Sequence, residues 1–421
     1  MHDTVTTRYV DADVVVIGGG SAGIAAAVGA AHAGADVVLV EQYGFLGGAA
    51  SSSSVLTYCG FFDQTRTQVV RGVGQLLIDK LRQNDVYRTH TIPETGNTVV
   101  LLDREMTKRA CDELVTDAGV RLFLHTTVIG AQTDGAHVRE VEAAHRGGRL
   151  VFRAPAFVDC SGDGVLLAHS DAAVTVAPPA QRQASTLVMC VGGVDEDADL
   201  SAAGMTDAVE QYRARTGIEL VRTSGIAARL PISREVMLLL ADAHRDALDV
   251  DEITGSEVDG RRQCWQYLEA FRGQLRGWSR AFLATTGPQI GIRETRRLRG
   301  RDTVTAADVS SGRRRPEDAI ARCGWPMERH VVPGLTQYGG IKDKEWYDIP
   351  YGAICSVNRT NLWAGGRLTS SDARAYASLR VMGTSFATGH ACGIAAALYS
   401  HSGVHDSERT RRELQDQGAL I

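Results

Sequence analysis

Asp13-Val-Val-Val-Ile17 runs directly into Gly18-Gly-Gly-Ser-Ala-Gly23, then into Ile24-Ala-Ala-Ala-Val-Gly-Ala-Ala-His-Ala33, Gly34 and Ala35-Asp-Val-Val-Leu-Val40-Glu41. The first apolar run has the form of a buried parallel strand. The Ala-rich run predicts a helix stopped by Gly34 as its C-cap, and residues 35–40 predict a second strand. Gly18, Gly20 and Gly23 carry the GxGxxG spacing between strand and helix, the context a dinucleotide-binding unit requires. The first Gly makes the turn, the second lets a pyrophosphate approach the backbone, and the third lets helix pack on strand. Unpaired N–H groups of Ser21 and Ala22 at the helix start are suited to phosphate charge. Glu41 follows Gly23 by 18 residues, where a carboxylate accepts from adenosine ribose hydroxyls and repels a 2′-phosphate.

Composition narrows the function classes. The 421 residues hold 45 basic and 50 acidic side chains, a formal net charge of −5, which argues against a polyanion binder. The 45 glycines are about 11% of the chain, against about 7% usually, beside only 10 prolines. That excess points to tight turns and close backbone approaches. Eight cysteines, at 59, 111, 160, 190, 264, 323, 355 and 392, show neither CxxC nor Cys–His spacing, so no metal site is expected. Dispersed thiols of this kind read as reduced and cytoplasmic. Asp3, Asp11 and Asp13 around a single Arg8 do not make a secretory leader. Residues 14–35 are uncharged and long enough to span a bilayer, but their six glycines and two periods read as strand and helix, so no membrane segment is expected.

Further along, apolar spacing predicts helices over 69–83, 103–118, 199–216, 234–248, 261–275 and 385–400. Strands are predicted over 121–127, 138–144, 150–159, 186–191, 353–356 and 361–364. Asp159-Cys-Ser-Gly-Asp-Gly164 follows a strand as a second Gly-rich crossing, and no second GxGxxG serves a nicotinamide coenzyme. Asn361-Leu-Trp-Ala-Gly-Gly-Arg367 is a strand into a Gly turn, and Arg380-Val-Met-Gly-Thr-Ser-Phe386 opens the final helix. A helix N-terminus facing a flavin stabilises negative charge on the reduced ring. Both ends of the chain read as serving one long cofactor.

As an ordered set, these motifs resemble the FAD-dependent oxidoreductases of the glutathione-reductase-like superfamily, nearest its fumarate-reductase-like branch. Ile17-Gly-Gly-Gly-Ser-Ala-Gly23, Glu41, Gly47-Gly-Ala-Ala50, Asp159-Cys-Ser-Gly-Asp-Gly164 and Gly291-Ile-Arg-Glu-Thr-Arg-Arg297 carry the resemblance, with Tyr347-Asp-Ile-Pro-Tyr351, Ala364-Gly-Gly-Arg367 and Arg380-Val-Met. It implies an α/β fold: a Rossmann-type FAD domain with parallel sheet and β-meander, formed by residues 1–60, 100–170 and 346–405. Residues 61–99 and 171–345 would form the substrate region and 406–421 a tail. It implies non-covalent FAD held by Gly18, Gly20, Ser21, Ala22, Gly23, Glu41, Gln42, Gly47, Gly48, Ala49, Ala50, Val128, Ser161, Gly162 and Asp163. Near the ring end it adds Gly366, Arg367, Arg380, Gly383, Thr384, Ser385 and Phe386. Two departures stand out: His390 where relatives tend to carry Gln, and Asp372-Ala-Arg-Ala-Tyr376 in place of a His- and Glu-containing pattern.

The expected activity is hydride transfer between flavin N5 and a small organic substrate, with oxygen, an external acceptor or a second substrate taking the electrons. Arg293 is placed toward the flavin by the resemblance, as an electrostatic anchor. His330, matching a His of relatives, is the candidate proton-transfer group, with Tyr338, Tyr347 and Tyr351 as alternative donors or pocket walls. Cys59 could carry the flavin covalently but reads better as a small buried hydrophobe; His390 reads as packing. The Arg runs at 293–301 and 313–315 read either as substrate contacts or as a solvated helix face. Two rival functions are a flavin monooxygenase and an RNA-acting flavoprotein, although nucleic acid is not the expected partner. Self-association stays open.

Overall fold

The computed structural model of the chain describes residues 6–92 and 95–421; Asp3, used above against a leader, lies outside them. Val14–Ile17 and Val37–Val40 pair in parallel, and Arg121–Phe123, Ala156–Asp159 and Leu362–Ala364 complete a five-stranded parallel sheet. Its central strand is Val14–Ile17, whose Val14, Val15 and Val16 are fully buried, as befits a strand covered on both faces. Thr6–Asp11, Gly148–Arg153, His137–His145 and Thr127–Asp134 form a second, four-stranded sheet beside it.

The third large sheet is antiparallel, in the order Ile226–Arg229, Val236–Ala243, Ser185–Gly192, Phe282–Thr286. The helices Ala202–Thr216 and Val250–Gln274 pack on it around a separate core that includes Leu187, Tyr212, Leu238, Tyr267, Phe271 and Trp278. The apolar residues of helix Val73–Gln83 and of strand Thr98–Leu101 instead join the core beneath the first helix.

The ends of the chain are locked together by close helix contact. Helix Met382–Ser402 lies on helix Ser21–His32 so closely that a Cβ at Gly389 would stand 2.0 Å from the Ala22 carbonyl oxygen. One at Gly393 would stand 1.9 Å from that of Ala26. Only glycine permits that approach. Residues 14–35 resolve into strand, loop and helix, and no helix among the described residues is long and apolar enough to cross a membrane.

Several sequence expectations are corrected. Residues 234–248, expected helical, contain the strand Val236–Ala243, because its backbone pairs on both sides, with Ser185–Gly192 and Ile226–Arg229. The expected strand 150–159 is two strands in different sheets, broken at Pro155, which has no N–H to give. The expected strand 121–127 stops at Phe123 and turns through His125 at φ 52°, and a separate strand starts at Thr127. Residues 353–356 lie at a 3-10 turn, Tyr351–Ile354, with only isolated bridges at Cys355 and Ser356. The Arg run from 293 enters a short strand, Arg296–Leu298, rather than a helix.

Candidate functional site

At the first strand-to-helix turn, Gly18 sits at φ 94° with Cys160 and Ser161 backbone where a Cβ would be, and a Cβ on Gly23 would overlap the Gly18 carbonyl. Gly20 differs. The nearest atom to its missing Cβ is the Gly48 Cα at 3.5 Å, and a Cβ on Gly48 would stand 2.7 Å from the Gly20 Cα, so two glycine loops meet backbone to backbone with no side chain between them. Gly47 is pinned there by donating its N–H to the Gly19 carbonyl at 2.9 Å. Ser21 is buried at the helix start and its Oγ has no partner. A backbone surface bare of side chains at a helix start, with an unsatisfied buried hydroxyl beside it, fits a pyrophosphate.

Glu41 ends its strand beside this turn. Its Oε2 accepts from Gly19 N–H at 2.6 Å and its Oε1 from Tyr43 N–H at 2.9 Å. Burial raises its pKa, and these backbone donors oppose the rise. Gln42 beside it is exposed, and Val128 is buried in the neighbouring sheet opposite Ala143.

The second Gly-rich loop is organised by a residue the sequence reading had not assigned to the site. Buried Asp159 accepts from Ser161 Oγ at 2.6 Å, Ser161 N–H at 2.9 Å and Leu167 N–H at 2.9 Å. Asp163 then accepts from Arg367 Nη2 and Thr295 Oγ1, both at 3.1 Å. Gly162 lies under the Arg367 guanidinium, 2.4 Å from where its Cβ would be. Arg367 also donates to the Ile292 carbonyl at 2.7 Å, which ties this loop to the segment leading into Arg293.

The start of helix Met382–Ser402 brings Cys59 into the site. Gly383 N–H donates to the Cys59 carbonyl at 2.7 Å. Thr384 and Ser385 are buried, and Gly366 N–H donates to Thr388 Oγ1 at 3.0 Å. Ala22 packs against Gly366 and Gly389, and Ala50 is fully buried while Ala49 is exposed. The Phe386 ring turns inward, edge-on to Tyr58 at 5.6 Å and tilted on Phe61 at 5.8 Å. Its side chain is therefore core, and only its backbone is left to face a cofactor. The Cys59 thiol is pushed up to about 12 by burial, with Glu328 adding to the shift, so it is a poor nucleophile.

Next to that helix start, polar side chains from distant elements converge on two residues, Gln183 and Ala184. Arg293 Nη1 donates to the Ala184 carbonyl. Arg380 Nε donates to Gln183 Oε1 at 3.2 Å, and its Nη2 to the Glu328 carbonyl at 3.0 Å. His330 N–H donates to the same Gln183 Oε1 at 3.2 Å, and its carbonyl accepts from Ala184 N–H at 2.9 Å. On the hairpin strand Met327–Val332, Glu328 and His330 share a face, and His330 Nε2 is 3.7 Å from Glu328 Oε1. His330 Nδ1 pairs with Thr336 Oγ1 at 3.1 Å.

Electrostatics follows from this crowding. Burial and the charges of Arg293, Arg380 and Arg222 push the His330 pKa far below its ordinary value, so the imidazole is neutral. Arg293 is itself pushed down to about 10, first by burial, and stays charged at neutral pH. Arg222 is held by Asp242 at 2.9 Å, and Asp242 also accepts from Thr186 Oγ1 at 2.5 Å. The divergent 372–376 stretch finds a role here too, because Tyr376 Oη donates to the Arg293 carbonyl at 2.6 Å.

Sequence reasoning had singled out Arg293, Arg380 and His330 and missed Gln183, Arg222, Asp242 and Glu328. Glu328 had a signal, since it precedes His330 by two, the spacing of one strand face. Tyr338 sits opposite Glu328 on the hairpin and is 59% exposed. Tyr351 is elsewhere. Its hydroxyl pairs with His405 Nδ1 at 3.2 Å, and His405 packs on Trp363 and Tyr399. Tyr399 is near the far end of helix Met382–Ser402, about 24 Å along its axis from Gly383. Tyr351 is thus removed from the candidate catalytic group. His390 packs between the two end helices. Within the Arg runs, Arg297 pairs with Glu294, Arg296 with the Asp163 carbonyl and Arg315 with Asp302, while Arg313 on Asp308 and Arg314 on Glu345 form surface pairs and Arg299 and Arg301 are exposed.

A family model described as FAD dependent oxidoreductase matches residues 13–417. The chain belongs to that family. FAD is the cofactor of this oxidoreductase, and the bare glycine backbone at Gly20 and Gly48 is where its residues fit the pyrophosphate. Comparison with curated proteins finds no match. Among solved structures, the oxidoreductase resembles BexE, described in connection with oxidation in a biosynthesis. The TM-score is 0.51 at 13% identity, over 97% of this chain and 66% of that one. It also resembles a geranylgeranyl bacteriochlorophyll reductase-like protein from Thermoplasma acidophilum, with TM-score 0.49, 12% identity, and 97% and 83% coverage. A third is p-nitrophenol 4-monooxygenase from Pseudomonas putida, with TM-score 0.47, 11% identity, and 97% and 84% coverage. At these identities the likeness extends to the fold alone.

Proposed function

We propose that this oxidoreductase transfers a hydride between non-covalently held FAD and a small anionic organic molecule, in the reducing cytoplasm. The observation that carries the reading is the convergence of Arg293, Arg380, His330 and Glu328 around Gln183–Ala184, beside the start of helix Met382–Ser402. Bound FAD supplies a hydride acceptor or donor. The protein's part is to anchor the substrate's charge with Arg293 and Arg380 and to handle the accompanying proton with the His330–Glu328 pair.

The two parts are coupled. With three guanidinium groups nearby and little solvent, His330 resists protonation. Burial is the larger cause and persists, but an anion between Arg293 and Arg380 offsets the guanidinium charge and so raises the basicity of the imidazole when substrate is in place. The free enzyme should accordingly show no pH step near the ordinary imidazole value of about 6.5. The unreactive Cys59 thiol supports non-covalent FAD, and eight free cysteines, seven of them buried, support the reducing compartment. Electrons then pass to oxygen, an external acceptor or a second substrate. A second reading, oxygen activation with a separate reductant, draws support from the oxidation in whose connection BexE is described.

The test is stopped-flow flavin reduction once a substrate is in hand. His330→Ala should slow it by about 10²–10⁴-fold with FAD content unchanged. Wild-type-like reduction would move proton handling to Glu328, Tyr338 or solvent.

A further inference from the structure

Gln183 is 4% exposed, and its Nε2 is buried without a hydrogen-bond partner. The orientation of its amide is fixed by chemistry. Oε1 accepts from two donors, His330 N–H and Arg380 Nε, each at 3.2 Å. Turning the amide over would aim its NH2 at both donors and lose both bonds. The NH2 is therefore held in place, and an acceptor is missing. A buried donor left this way costs its full desolvation, and native proteins nearly always satisfy it.

The surroundings say what the acceptor is. Arg380 touches this same amide, and Arg293 donates to the carbonyl of the next residue, Ala184. The main chain of Gln183 is fixed as well, its N–H donating to buried Glu294 Oε2 at 3.2 Å. Two cations thus hold the Gln183–Ala184 pair, one on the amide oxygen and one on the main chain, in the same cluster as this neutral, immobilised N–H donor.

From this juxtaposition we propose that Gln183 is a substrate-binding residue whose Nε2 donates to an anionic oxygen of the substrate lodged between Arg380 and Arg293. The inference rests on the reading of this cluster as the substrate site and adds to it a specificity: an oxygen acid is taken, and its amide analogue is refused. A carboxylate offers acceptors to the Gln183 amide and to both guanidinium groups, whereas a carboxamide would set its own NH2 against these donors.

The FAD-loaded protein is titrated with malonate, and separately with malonamide, while the visible flavin band is followed. Malonate should shift the band of the wild type saturably and malonamide should not. Gln183→Leu, similar in volume but without donors, should weaken malonate binding tenfold or more at unchanged FAD content. Gln183→Glu should abolish it, because a carboxylate there repels the anion and engages Arg380. If the Leu variant loses FAD, Gln183→Asn keeps the amide but withdraws it by one methylene, and the same tenfold weakening is expected. Unaltered malonate affinity in a flavin-loaded Leu or Asn variant overturns the proposal, as does a wild type that ignores malonate; the unpartnered donor then holds only water. Binding is read without turnover. A failure of hydride transfer would instead show as a malonate shift with no substrate able to reduce the flavin.

Discussion

His390 shows how a single substitution relative to the family pattern becomes a stability element. It stands where Gly29 and Gly72 leave room for its ring: a Cβ on Gly29 would lie 2.4 Å from His390 Cδ2, and one on Gly72 2.6 Å from Nδ1. Its Nε2 pairs with Gln417 Oε1 at 2.8 Å, while Nδ1 is buried without a partner. Burial pushes its pKa down to about 4. A depressed folded-state value means that the stability is complete above about 6.5 and drains away as pH falls toward 4. At about 1.4 kcal/mol per unit, His390 should account for about 2–3 kcal/mol of lost stability between pH 7 and 4.5. Urea titrations at the two pH values check this. His390→Gln should flatten the difference by that amount, and an unchanged difference would mean the ring is protonated in the folded protein. Packing for His390 was legible in the sequence; its partner was not, because Gln417 reaches it only through the fold of the C-terminal tail.

At the scale of elements, legibility follows the range of the forces involved. The first strand, glycine turn and helix were readable because Gly18, Gly20 and Gly23 act within a few residues of one another. Strand Val236–Ala243 was misread because Met237-Leu-Leu-Leu-Ala241 contains good helix formers without strand alternation, and its pairing partners begin at Ser185 and Ile226. Nothing local could settle it. The contact between the two end helices belongs to the same class, since glycines at 389 and 393 acquire meaning only when Ala22 and Ala26 lie opposite. Gly393→Ala must push the helices apart at the Ala26 carbonyl and should cost about 1–3 kcal/mol. Because Gly383 opens the same helix, FAD retention should fall as well. Urea unfolding and flavin content of the purified variant test both, and a variant as stable as the wild type would show that this approach is not tight.

At the scale of the whole molecule, the candidate site is assembled from positions 183, 293, 328, 330 and 380, and no sequence window contains more than two of them. The family motifs exposed Arg293, His330 and Arg380. Gln183 was hidden because a lone Gln in a loop before a strand carries no pattern, and Tyr351 was overvalued because a motif does not say which way its hydroxyl points. The central claim is that this FAD enzyme takes electrons from, or gives them to, an anionic organic substrate without a nicotinamide partner. The most direct measurement is anaerobic titration of the FAD-loaded protein with a panel of organic acids, their amides and NAD(P)H, following the visible flavin absorbance. Bleaching by an organic acid alone, or reoxidation of the dithionite-reduced enzyme by one, is expected, with the matching amide inert. Bleaching by NAD(P)H alone, with every organic acid silent in both directions, would contradict it and assign the protein to oxygen-activating chemistry.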